Sequence, residues 1–246
     1  MRITYVFTVL FSQCWLLAAP EIDFSNVIYD GNNGAPVTLS DIVQAVSPGT
    51  VVLVSEVHDQ APHHENQVEL LEALAREFHV PLSVGMEFLD SRQQDSVDAF
   101  LAGKLDETAF KKAVDWKGCF DFYRRQILFP AAHSGRTIAL NAPRTLTGKI
   151  VASGLNSLTS EEQQLLPPQF TMGNDGYLER FKSEMGGSHP MPPEMVMRYF
   201  TAQSLWDDTM AWNSVGYMDG QENAILVIIV GDFHVAYGGG LPDRLR

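Results

Sequence analysis

Cysteine is nearly absent from this chain, with two in 246 residues, Cys14 and Cys119. Cys14 sits in an apolar N-terminal stretch that reads as an export signal. Cleavage after Ala18 or Ala19 leaves Cys119 alone and excludes an intramolecular disulfide. Cys119 then reads as a small buried side chain. Basic residues are also scarce: 17 Lys and Arg face 30 Asp and Glu, giving a formal net charge of −13. They form no run, which sets nucleic acid aside as a partner. The apolar N-terminal run is short for a membrane span, and there is no internal repeat or low-complexity tract. What remains, 45% apolar and 19% charged residues, suits one sizeable domain with a real core.

The first nineteen residues carry the parts of an export signal. Arg2 supplies the positive start, Ile3 to Ala19 is mostly apolar, and Ala18-Ala19 offers small residues for cleavage. The expected mature domain is therefore 20–246, in the periplasm. Phe11-Ser12-Gln13 before Cys14 is a faint lipoprotein box, so a lipid anchor on Cys14 is a further expectation.

Four strand-like runs each end in residues that bind or do chemistry. Residues 50–54 run into Ser55, Glu56, Val57 and His58, and residues 82–86 into Glu87. Residues 137–140 run into Asn141, and residues 224–230 into Gly231, Asp232, Phe233 and His234. A helical pattern over 65–78 separates the first two runs, with Val68, Leu71, Leu74, Ala75 and Phe78 on one face. Two short helices divided by Gly103 are expected over 91–113, and a third over 120–132. The fold class is thus α/β, a mostly parallel sheet flanked by helices with right-handed crossovers. Residues 145–193, rich in Gly and Pro, read as a helical insertion or lid. A short helix capped at Thr38 precedes the first core strand, and the longest clean helix runs from Glu194 to Trp212.

In open α/β sheets ligands sit outside the carboxyl ends of the strands. Glu56 and His58, two apart, point to one side of a strand end. With Glu87 and His234 they make a nitrogen and oxygen set suited to a divalent transition metal or to general acid–base work. The competing reading pairs Glu56 and Glu87 with Arg92, Arg144 or the histidines as buried structural groups. His63 and His64 open the first helix and read as solvated, or one of them faces the rim, with Gln67 on the same face as His64. On the long helix Tyr199, Gln203, Asp207 and Met210 share a face, and Gln203 and Asp207 are either solvated or line the rim. Tyr199 has Phe200, Met195 and Met197 around it, and tyrosine oxygen is an axial ligand for ferric haem. Such a stripe is more often core.

Read in order, several segments resemble the ChaN family within the wider Tiki-like group. They are Ser-Glu-Val-His-Asp (55–59) with His-His-Glu-Asn-Gln (63–67), Gly-Met-Glu-Phe (85–88), and Ala-Leu-Asn-Ala-Pro-Arg (139–144). Ala-Gln-Ser-Leu-Trp-Asp-Asp-Thr-Met-Ala (202–211) and Gly-Asp-Phe-His-Val (231–235), with Gly-Gly-Leu-Pro-Asp-Arg-Leu (239–245), complete the set. The resemblance implies an exported haem-binding protein that works with outer-membrane haem or iron uptake machinery. It implies haem held in a homodimer, with a tyrosine on iron and a histidine and a lysine of the other protomer on the propionates. Tyr199 matches the iron ligand by position, His189 the propionate partner, and Gln203 and Asp207 belong to the adjoining motif. In the wider group the equivalents of His58, Glu87 and His234 hold a divalent metal for hydrolysis, which implies Glu56 as base in an alternative, hydrolase reading. Two departures stand out. Ser55 replaces the usual glycine, and the chain stops soon after its last motif, where relatives usually continue, so an incomplete sheet edge or dimer is expected.

Overall fold

The structure, a computed structural model, describes residues 2–5 (backbone only), 27–185 and 191–246. The strands are β1 (Arg2–Tyr5), β2 (Ile28–Tyr29), β3 (Pro36–Val37), β4 (Thr50–Glu56), β5 (Leu82–Asp90), β6 (Thr137–Asn141) and β7 (Ile225–Gly231). The helices are α1 (Leu39–Gln44), α2 (Ala61–Glu77), α3 (Gln94–Leu101), α4 (Glu107–Ala113), α5 (Asp121–Leu128), α6 (Arg144–Ser153), α7 (Ser160–Gln163), α8 (Asp175–Met185), α9 (Pro193–Met218) and α10 (Leu241–Leu245). The main sheet is wholly parallel in the order β1-β4-β7-β5-β6, and β2 and β3 form a separate antiparallel pair. The four foreseen strands are β4, β5, β6 and β7. The edge strand β1 falls within the segment expected as an export signal.

β7 is buried along its whole length because both faces of the sheet are covered, as parallel sheets require. Side chains alternate between the two faces. Val52, Val84, Met86, Val227 and Ile229 meet Leu70, Leu71 and Leu74 of α2, Phe110 of α4, and Tyr123 and Ile127 of α5. Val51, Leu53, Ile138, Leu140, Leu226, Ile228 and Val230 meet Met210 and Ala211 of α9 and Leu241 and Leu245 of α10. Leu146 and Ile150 of α6 extend this second layer onto Leu205 of α9.

Local chemistry sets the helix starts. Thr38 and Asp41 make a reciprocal capping box for α1. Pro62 and Pro193 occupy first turns, where no backbone N–H is missed. α9 runs six residues beyond Trp212, because Ser214 and Met218 continue its buried stripe and the exposed Gly216 is tolerated. Cys119 is exposed rather than buried: it follows the left-handed Gly118 in a turn, and its neighbour Phe120 takes the core position.

Leu53 is fully buried between the sheet and the α9 layer. Leu53→Ala is expected to lose about 2–5 kcal/mol of stability by urea denaturation, from lost burial plus the cavity left behind.

Candidate functional site

β4, β7 and β5 are neighbours and parallel, so their chain ends reach one rim, and Glu56 and Gly231 are register partners across β4 and β7. Glu56 is buried there among donors from three elements. Its Oε1 accepts from the Tyr123 hydroxyl of α5 and, at 3.0 Å, from His58 Nδ1. Its Oε2 accepts from Gln67 of α2 at 2.6 Å, with His64 Nδ1 3.1 Å away. Gln126 of α5 donates in turn to the Gln67 amide oxygen at 2.9 Å. Burial alone would raise the pKa of Glu56, but His58, His64, Tyr123 and Gln67 together outweigh it and hold the value at about 2. The same hydrogen bond raises the pKa of His58. His63 behaves oppositely: burial lowers its pKa, in keeping with its Nδ1 accepting from the Val57 N–H at 2.9 Å.

A second chain of polar contacts joins α9 to the strand ends. Gln203 donates to the Tyr177 hydroxyl at 2.9 Å, and Tyr177 donates to Asp207 Oδ2 at 2.8 Å. Asp207 Oδ1 accepts from His234 Nδ1 at 2.6 Å, and His234 Nε2 lies 3.4 Å from Glu87 Oε1. Glu87 Oε2 accepts from the Gly231 N–H at 2.5 Å. Burial by itself would lower the pKa of His234, yet the carboxylates of Asp207 and Glu87 on either side push it up to about 10. His234 thus donates from Nδ1 to Asp207, with the Glu87 carboxylate as a second opposite charge beside Nε2. Gly231 separates the two networks. Its φ of −59° is ordinary, but a Cβ there would stand 2.8 Å from His58 Cε1. Glycine here lets the His58 ring lie against the backbone, and a larger residue would push that ring aside.

The structure thus brings Glu56, His58, Glu87 and His234 to one rim, as the sequence implied. Gln203 and Asp207 are buried and line that rim rather than being solvated. His64 is buried too, so of its two readings it takes the rim-facing one: the α2 start turns it inward, where it stacks 4.6 Å from Phe122. The carboxylates pair with histidines and not with arginines. Arg92 instead reaches Asp90, and Arg144 the carbonyls of Asp115 and Phe88. Tyr199 stands 37% exposed on α9 and carries no hydrogen bond among the described residues. His189 lies outside the described residues. Among those residues no group of three or more His, Cys, Asp and Glu is arranged to hold a metal ion. Tyr123 and Tyr177 were missed, because each lies on a separate helix whose periodicity marks it only as core.

Comparison with known proteins places the chain. The family described as haem-binding uptake, Tiki superfamily, ChaN matches residues 42–245. A solved structure of cofacial heme binding to ChaN of Campylobacter jejuni superposes with a TM-score of 0.69 at 18% identity, over 89% of this chain and 84% of that one. No curated protein matches.

Two opposite pH dependences are expected. Glu56 has a folded value of about 2 against 4.5, so it stabilises the fold above pH 4.5 and loses that effect as pH falls towards 2. The difference corresponds to about 3 kcal/mol. His234, raised from 6.5 to about 10, stabilises fully below pH 6.5 and progressively less as pH rises through 10. Urea denaturation across pH should show both slopes, with Glu56→Gln flattening the acid one and His234→Asn the alkaline one.

Proposed function

Since the chain belongs to the ChaN family of haem-binding uptake proteins within the Tiki superfamily, we propose that it binds haem through Tyr199 on α9 and carries it without chemistry of its own. The observation that carries this reading is Tyr199 itself. Its phenol is partly exposed and makes no hydrogen bond among the described residues, with exposed Met195 one turn before it and exposed Met197 nearby. Buried tyrosines satisfy their hydroxyl, as Tyr123 and Tyr177 do here; an unengaged phenol among apolar side chains suits a flat apolar ligand with an oxygen-seeking metal. Haem, when bound, supplies a ferric iron that takes such an oxygen donor. Gln203 and Asp207, one and two turns further along α9, fix the helix beneath Tyr199 through Tyr177 and His234.

Cofacial haem binding is described for the Campylobacter jejuni relative, and two haems face to face suit two copies of one exposed face. We therefore read the working form as a homodimer. His189 and a lysine of the second protomer would take the propionates. The leader-like residues 1–19 support export to the periplasm, with lipidation at Cys14 as a variant, and supply to or from outer-membrane uptake machinery. A divalent-metal hydrolase at His58, Glu87 and His234 is the less supported reading, since His234 Nδ1 is engaged by Asp207 and no group of three or more His, Cys, Asp and Glu is arranged to hold a metal ion among the described residues.

Hemin added to the purified chain should give a saturable Soret shift with a high-spin ferric band, together with dimerisation in size-exclusion elution. Tyr199→Phe should remove that band and weaken affinity by at least about tenfold, equivalent to about 1.4 kcal/mol, with no change in thermal stability. Absence of any Soret shift in the wild type overturns the reading.

A further inference from the structure

Resting on the haem reading, we propose that His58 Nε2 is a second iron donor, a station on the strand-end rim that can hold haem when Tyr199 does not. The His58 side chain is 53% exposed, and its Nε2 makes no hydrogen bond among the described residues. Its Nδ1 has one possible role, because a carboxylate can only accept: it carries the proton and donates to Glu56. That fixes the neutral tautomer with its lone pair on Nε2. A histidine that ligates a metal characteristically donates its other nitrogen to a carboxylate or carbonyl, which orients the ring and strengthens the donor. Glu56 already has Tyr123 and Gln67 as donors, so a half-exposed imidazole is not needed to satisfy it.

The surroundings of Nε2 suit a porphyrin in particular. The Phe88 ring stands edge-on at 4.9 Å from His58, and Trp116 is 6.0 Å beyond it. Together they make an apolar, aromatic flank. Arg144 sits on the same patch, held only by long contacts of 3.5 Å to the carbonyls of Phe88 and Asp115, and makes no ion pair among the described residues. In a chain of net charge −13, Arg144 feels the Asp115 carboxylate only at a distance, because Lys117 holds that carboxylate directly, so its guanidinium is suited to a propionate. The absence of a Cβ at Gly231 lets the imidazole lie in this position. In this tautomer Nε2 offers its lone pair directly, so iron binding there breaks no contact among the described residues.

The test is hemin titration of the wild type, Tyr199→Phe, His58→Ala and the double variant, read by visible absorption and electron paramagnetic resonance. Thermal melting confirms that each variant is folded. Tyr199→Phe should retain a weaker saturable phase with a nitrogen-ligated ferric spectrum, abolished in the double variant and weakened several-fold by Arg144→Gln. Binding lost in the wild type as well overturns both this inference and the haem reading. A normal wild-type spectrum overturns the inference alone if Tyr199→Phe binds no hemin, or if its residual spectrum is unchanged by His58→Ala. Should any variant be misfolded, His58→Gln in the Tyr199→Phe background gives the same comparison.

Discussion

A buried carboxylate must be surrounded by donors or be neutralised, and the rim of this protein is arranged around that requirement at Glu56. The donors come from the β4 tail, from α2 and from α5, so ionised Glu56 fixes two helices against one strand end. Because α2 and α5 also share the core beneath, with Leu71, Leu74 and Ile127 in one cluster, the polar network and the apolar packing specify the same arrangement. The polar contacts choose which way the helices face, and the apolar layer holds them there. His58 inherits its orientation from that choice.

The second network does for the other layer what Glu56 does for the first. Asp207 and Glu87 enclose a charged His234, linking α9 to the ends of β7 and β5. One face of α9 therefore has two employments along its length: buried and polar at Gln203 and Asp207, exposed and unengaged at Tyr199 one turn earlier. A surface phenol anchored from below by buried hydrogen bonds is held on a rigid element, as ligand-binding side chains need to be.

Strand order could not be read from the chain, yet the strands and their chemically loaded ends could, since long apolar runs closed by Glu, His or Asn are visible without any knowledge of pairing. The placement of β7 between β4 and β5 is a tertiary fact. So is the burial of His64: a helix start reads as solvated until another helix, here α5 with Phe122 and Tyr123, is packed over it. Tyr177 illustrates the same limit, since nothing in its own helix reveals that Asp207, thirty residues on, needs its hydroxyl. Cys119 shows the converse. Composition favours burial of a cysteine, but the left-handed Gly118 before it places the thiol outside and Phe120 inside. The motifs carried the family because they combine glycine, carboxylate and histidine at strand ends, where function and geometry coincide.

The position of β7 in the sheet has a consequence for how the molecule comes into being. It is the last of the described strands and lies between β4 and β5, so those two strands are not paired with each other. β4, β5 and β6 must all be made before the middle of the sheet exists, and the network of Asp207, His234 and Glu87 waits on the same event, since Gly231 and His234 arrive with it. Contacts of such long sequence separation make for slow closure. Until it happens, β4 and β5 present apolar edges to whatever is nearby, and the nascent molecule depends on being kept apart from its own kind.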